Sequence, residues 1–186
     1  MLHSRHMRRS VMTGKYLQTG MTLIETMIVL ILLGILMGAA MPSMKQLLLA
    51  QQVRAGIHEL STDFALARMT AISRSRSVVV CPASGNRCAD DGDWSRGWMV
   101  FVDGDGNHVA DNAAEVIVTR AARDDGLLIG SSRGRPRLRY LPTGASYGSN
   151  LTVNICAQAR LQAQVVVNNA GRTRVDRRGN GNACPM

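Results

Sequence analysis

At 186 residues the chain suits one ordinary domain with extensions. Its 22 Lys and Arg against 13 Asp and Glu give a formal charge of +9, and residues 126–186 hold nine arginines and one acid, so a negatively charged partner should meet the last third. No H-E-x-x-H or phosphate-cradling Walker loop occurs, so neither an enzyme nor a cofactor is expected.

Residues 1–20 are basic through Arg5, Arg8, Arg9 and Lys15, and a run of about twenty apolar residues from Met21 carries one carboxylate, Glu25. A charge at that depth costs about 2.5–3.5 kcal/mol in a bilayer, which makes Glu25 a functional candidate. An ordinary secretory signal would place small residues after the run, where Gly38, Ala39 and Ala40 stand, but it does not account for Glu25. Met7 and Met12 are alternative starts.

The order Gly20, Met21, Thr22-Leu23-Ile24-Glu25, ahead of a long apolar helix, resembles the class III signal of type IV pilins and pseudopilins. The resemblance implies cleavage by a prepilin peptidase between Gly20 and Met21 and methylation of the new N-terminus. It also implies that leader 1–20 stays cytoplasmic and that helix 21–41 spans the inner membrane before filament entry. The basic leader agrees with that orientation. Met21 stands where the family more commonly has Phe. In a filament, Glu25 would meet the freed α-amino group of a neighbouring major or minor pilin, a pair that is costly to break from one side in a dry core. An acid complementing the helix N-terminal dipole is the plainer reading of the same residue.

Pro42 falls where such helices commonly kink. Over 42–76, Leu47, Leu48, Val53, Ile57, Leu60, Phe64, Leu66 or Ala67, and Ile72 recur at helical spacing. A nearly continuous helix from about 22 to 75 is predicted, its second half amphipathic and capping a globular domain.

Residues 77–186 read as that domain. Short β-type runs from Val78 are divided by Gly and Asn turns, so the fold class expected is α+β, antiparallel sheets packed on one long helix. Cys81, Cys88, Cys156 and Cys184 follow an export-like N-terminus and admit three pairings in principle. Locality favours Cys81 with Cys88, leaving Cys156 for Cys184. Zinc is the rival, but there is no C-x-x-C, and His58 and His108 lie at no ligand spacing.

Gly97-Trp98-Met99-Val100-Phe101-Val102-Asp103, followed by Gly104 to Asp111 and by Glu115-Val116-Ile117, resembles the signature of the GspH/FimT class of minor pilins. The resemblance thus covers most of the chain and implies a type IV pilin-like fold. Within it Asp103, Asp105, Asn107 and Asp111 fall at positions 1, 3, 5 and 9 of a calcium loop. His108 replaces the turn glycine, and Ala114 stands where the closing acid belongs, with Glu115 one step late. A solvated hairpin turn without metal is expected.

The last third carries two arginine groups. Arg133, Arg135, Arg137 and Arg139 alternate, so a strand would project all four from one face while Leu138 and Tyr140 enter the core; Gly134 and Pro136 favour an exposed loop instead. Gly171-Arg172-Thr173-Arg174, with Arg177 and Arg178, resembles the C-terminal G-R-x-R motif of the FimT branch. That branch is implicated in DNA uptake during natural transformation. The resemblance implies that Arg172, Arg174, Arg177 and Arg178 hold double-stranded DNA by its phosphates, without sequence preference and with steep salt dependence. Few aromatics argue against base stacking. The alternative is a structural pseudopilin of a type II secretion system, or an assembly-initiation subunit, whose arginines pair with other subunits.

Overall fold

The computed structural model describes residues 20–177 and 182–185, the side chains of residues 39–43 excepted. Among these, one helix, α1 (Leu23–Arg74), precedes nine strands: β1 (Val78–Ser84), β2 (Arg87–Cys88), β3 (Trp98–Val102), β4 (Val116–Thr119), β5 (Leu128–Ser131), β6 (Leu138–Tyr140), β7 (Leu151–Ala157), β8 (Arg160–Val167) and β9 (Thr173–Asp176). The chain divides into two compact units, Met1–Ser43 and Met44–Met186.

In the first unit α1 opens on a cap: Thr22 Oγ1 accepts the amide N–H of Glu25 at 3.3 Å. Glu25 sits in the first turn, where a carboxylate complements the positive end of the helix. The Thr22 to Glu25 spacing is therefore a helix start in its own right. Leu23, Ile24 and the apolar residues from Met27 to Met37 are exposed, and a helix apolar all round needs lipid or other helices about it. Among the described residues no helix is long and apolar enough to cross a membrane. The described side chains of the apolar run end at Gly38, whereas a span takes about 20 residues. The helix is continuous through Pro42, whose side chain lies outside the described residues.

In the second unit the same helix is amphipathic. Ile57, Leu60, Phe64, Ala67 and Ala71 are buried, and Leu49 and Val53 pack partly against them. That stripe advances by three and four residues, so Leu47, Leu48 and Ile72 fall beside it and are exposed, contrary to their expected place on the apolar face. The helix ends where Ser75 turns left-handed, φ 52°.

Both sheets are antiparallel. In the first, β1 lies between β3 and β6, with β4 beyond β3 and β2 paired to the far end of β1; the second runs β5-β7-β8-β9. Val78, Val80, Trp98 and Val100 of one sheet and Val153, Ile155, Val165 and Val167 of the other share a core with Phe64, whose ring meets Trp94 edge-on at 6.0 Å. Alternate residues of the first sheet, Val79, Cys81, Met99 and Phe101, form a second core on its other face with Ala110. β1 and β3 are thus buried on both faces. Cys81 is bonded to Cys88 and Cys156 to Cys184, the pairing that locality favoured. The second bond holds residues 182–184 along β8, where Leu161 donates to Asn182 O and Cys184 to Ala159 O at 3.0 Å each.

Candidate nucleic-acid interface

The β8–β9 hairpin presents Arg172 and Arg174. Val165 pairs with Val175 and Val167 with Thr173, so these share the face that the buried Val165 and Val167 turn to the core. Arg174 pairs with Val166 on the opposite face, and Arg172 and Arg174 are both exposed. The turn is closed by Gly171 N–H to Asn168 O at 2.8 Å and by Arg172 N–H to Asn168 Oδ1 at 2.9 Å. Gly171 has φ 75°, and a Cβ there would collide with the carbonyl oxygen of Gly144 and lie 3.2 Å from Tyr140 Cε1. The glycine that precedes Arg172 is therefore a steric requirement: it lets the hairpin lie on loop 141–150.

Two residues without a motif of their own hold that contact. Arg68 of α1 donates from Nε to Gly144 O at 2.9 Å and from Nη2 to Ala170 O at 3.3 Å. Ser146, fully buried, donates from Oγ to Asn168 O at 2.7 Å and from its amide to Asn169 O at 2.9 Å. Helical periodicity marks Arg68 only as polar, and nothing local marks Ser146.

Arg177 takes a different place. Together with Arg54, Leu49, Val53, Ile57 and Gln162 it lines a groove of about 410 Å³ beside α1. The expected foursome is thus divided: Arg172 and Arg174 go together on the hairpin, Arg177 faces the helix, and Arg178 lies outside the described residues.

Of the second group, only Arg139 is on a strand; Arg133 and Gly134 form a turn, and Arg135 and Arg137 are irregular. Leu138 and Tyr140 are buried as expected, and Pro136 is buried with them. Arg137 is ion-paired to Asp90 at 2.6 Å, and Arg135 Nη1 donates to Asn150 O at 3.2 Å. Loop 141–150 joins the two groups: Ser149 Oγ accepts the Arg139 N–H at 3.1 Å and donates to Arg139 O at 2.9 Å, while Ser146 holds the hairpin.

The calcium-like stretch spends its oxygens on its own backbone. Asp103 accepts the amides of Gly106 at 2.8 Å and His108 at 3.3 Å, Asp105 that of Asn107, and Glu115 that of Asp111. Asp105 and Asp111 are exposed, but Asp103 is buried rather than solvated, since its carboxylate ties the turn to the end of β3. No group of three or more His, Cys, Asp or Glu among the described residues could hold a metal ion.

Ion pairing decides the electrostatics. In the first half of the second unit, Arg96 pairs with Asp91 and Asp93, Arg120 with Asp63, and Arg123 with Glu59 and Asp125. The backbone amide of Asp93, and then Arg96, hold the Asp91 carboxyl below its usual range. For Asp125, burial opposes ionisation, but Arg123 and the amide of Leu127 prevail and hold it low. Among the described residues, Arg133, Arg139, Arg172, Arg174 and Arg177 make no ion pair. Arginines without an ion pair among the described residues thus cluster on β6, its preceding turn and the β8–β9 hairpin, with Arg54, Arg74, Arg76 and Arg87 elsewhere on the domain.

Comparison with known proteins agrees with this architecture. The family model described as "Type II transport protein GspH" matches residues 57–171, and that of the prokaryotic N-terminal methylation motif matches residues 16–41. The fold is similar to that of the Pseudomonas aeruginosa type IV minor pilin FimU in two crystal forms. One has a TM-score of 0.55 at 17% identity, covering 74% of this chain and 95% of that one. The other has a TM-score of 0.52 at 17% identity, covering 72% and 97%. No curated protein sequence matches the chain.

Proposed function

Because the chain belongs to the GspH family of minor pilins and pseudopilins, structural proteins without enzymatic activity, we propose that it is a FimT-like minor type IV pilin that captures extracellular DNA. The N-terminal methylation motif implies processing by prepilin peptidase and other pilins as partners. In this reading the peptidase cuts after Gly20, the apolar run from Met21 anchors the chain in the inner membrane, and Glu25 meets the α-amino group of a neighbour during assembly. Arg172 and Arg174, with Arg177 and Arg178 and with Arg133 to Arg139 as a second group, hold duplex phosphates, and pilus retraction carries the DNA to the cell.

One observation carries the reading: Arg96, Arg120, Arg123 and Arg137 are each paired with acids, while Arg172 and Arg174 stay exposed on one hairpin and make no ion pair among the described residues. A surface of that kind neutralises phosphates and releases counterions, which requires no base contact. The test is fluorescence-anisotropy binding of the full chain in non-ionic detergent to unrelated duplexes over a salt series, beside Arg172→Ala/Arg174→Ala. Sequence-indifferent binding that weakens steeply with salt and collapses in the double variant is expected.

The family description favours a second reading, a structural pseudopilin of a type II secretion system whose arginines bind acids on other subunits. Absence of DNA binding at low salt, or a double variant indistinguishable from its parent, would select it.

A further inference from the structure

Among the described residues every aromatic ring but one is buried: Phe64, Trp94, Trp98, Phe101 and Tyr140 are all fully enclosed, whereas Tyr147 is 66% exposed. A single exposed ring needs no explanation by itself. This one, however, lines a cavity of about 350 Å³ with Arg135, Arg137, Arg139, His108 and Ser149. Three guanidinium groups and one aromatic face around a small cavity are the elements that grip a single nucleotide: cations for the phosphate, a π-surface for the base.

We propose that this cavity, at the β6 edge of the first sheet, binds an unpaired nucleotide of a DNA strand, its base stacked on Tyr147 and its flanking phosphates held by Arg135 and Arg139. The proposal rests on the reading of the protein as a DNA-binding pilin and names the form of DNA that this second arginine group selects. A paired base lies within its stack and cannot offer its face to a side chain, so only an unpaired nucleotide, as in a single-stranded tail, fits.

The parts are set in place before any ligand arrives. Ser149 fastens the Tyr147 loop to β6 through both backbone groups of Arg139, and its amide donates to Ser146 O at 3.0 Å. Gly148, with φ 76°, makes the turn after the ring. Arg135 is steadied by Asn150 O and Arg137 by Asp90, while Arg139 makes no ion pair among the described residues. Arg137 is thus partly neutralised, which leaves Arg135 and Arg139 as the principal phosphate contacts. His108 is held below its usual range, first by burial and next by the charge of Arg137, which favours its uncharged form. It adds hydrogen-bonding capacity at the cavity wall without a further charge. The loop that carries Tyr147 also carries Ser146, which holds the Arg172 hairpin. An unpaired nucleotide in the cavity and a duplex on the hairpin would thus share one support.

The test compares one blunt duplex, the same duplex with a three-nucleotide single-stranded tail, and a short oligothymidylate, all against the full chain in non-ionic detergent. Base stacking on one ring should make the tailed duplex bind about tenfold more tightly than the blunt one. Tyr147→Ala should erase that difference and Tyr147→Phe keep it, with the fold of both variants retained because the ring is largely exposed. Arg172→Ala/Arg174→Ala should weaken both duplexes and preserve their ratio. Equal binding of tailed and blunt duplexes, or a preference that survives Tyr147→Ala, would overturn the proposal. If no duplex binds, oligothymidylate decides: binding that depends on Tyr147 keeps the nucleotide site and removes only the hairpin reading. An oligothymidylate that does not bind, with an acidic peptide taking the cavity instead, removes the site as proposed.

Discussion

The carboxylate of Asp63 on α1 receives both arms of the Arg120 guanidinium, Nε to Oδ2 and Nη2 to Oδ1, each at 2.9 Å, across 57 residues of sequence. Trp98 Nε1 donates to the same Oδ2 at 2.8 Å. Asp63 is fully buried, so its charge is tolerated only because three donors meet it. The hydrogen bond to Asp63 raises the affinity of Arg120 for its proton. Asp63→Ala should cost about 3 kcal/mol, the low end for breaking a buried pair because Arg120 keeps access to water. Thermal unfolding of the variant checks this; a midpoint within a degree or two of the parent would remove the pair from the account of stability.

Gly171 allows a test of the hairpin that leaves every charge in place. Gly171→Ala introduces a Cβ against Gly144 O at a backbone φ of 75°, so the turn must shift. Strain of this kind is worth about 1–3 kcal/mol. DNA affinity should fall several-fold with the slope of log K against log salt unchanged, whereas Arg172→Ala should reduce the slope by about 1. The two slopes separate misplacement of the hairpin from loss of a phosphate contact.

Arg68→Met removes the donors to Gly144 O and Ala170 O while keeping the aliphatic stem. Arg68 acts here as a positioning residue. Expected are faster amide hydrogen exchange at Gly171 and Arg172 and a several-fold loss of duplex affinity. Unchanged exchange at those amides would assign the hairpin's position to Ser146 and the disulfide instead.

Tyr140 provides a pH test. Burial pushes its phenol up to about 12, from an ordinary value near 10. The unfolded chain therefore releases this proton first, and stability that is complete below about pH 10 declines as pH rises towards 12, by roughly 1.4 kcal/mol per pH unit. Tyr140→Phe should flatten the decline. Equal alkaline losses in parent and variant, followed by denaturant unfolding between pH 9 and 12, would show that another group governs it.

The Cys156–Cys184 bond closes a longer loop than Cys81–Cys88, with separations of 28 and 7. Chain entropy assigns it about 3.5 kcal/mol against about 2.4 kcal/mol. Cys184→Ser should lower the denaturant midpoint and expose the Leu161 and Cys184 amides to exchange, because residues 182–184 are tied to β8 by few hydrogen bonds besides. A midpoint equal to the parent's would show that the reduced chain keeps this tail in place.

Legible in the sequence were the long helix, the strand-rich domain after Val78, the N-terminal methylation motif around Gly20 and Glu25, the short loop that favoured Cys81 with Cys88, and the basic last third. Each of these is written in local spacing: three and four residues for a helix face, two for a strand, one turn for a short cysteine loop. Tertiary contacts select which arginines among the described residues are left without an ion pair. That depends on contacts such as Asp63 with Arg120 and Arg68 with Ala170, which join residues 57 and 102 positions apart and leave no periodic trace. The same holds for the division of Arg177, which lines the groove beside α1, from Arg172 and Arg174 on the hairpin. It holds too for Tyr147, an ordinary turn residue in the sequence, which becomes part of an arginine-lined cavity only because Ser149 draws its loop onto β6. A chain of alternating arginines specifies charge; the partners brought to it from distant segments determine where that charge can be used.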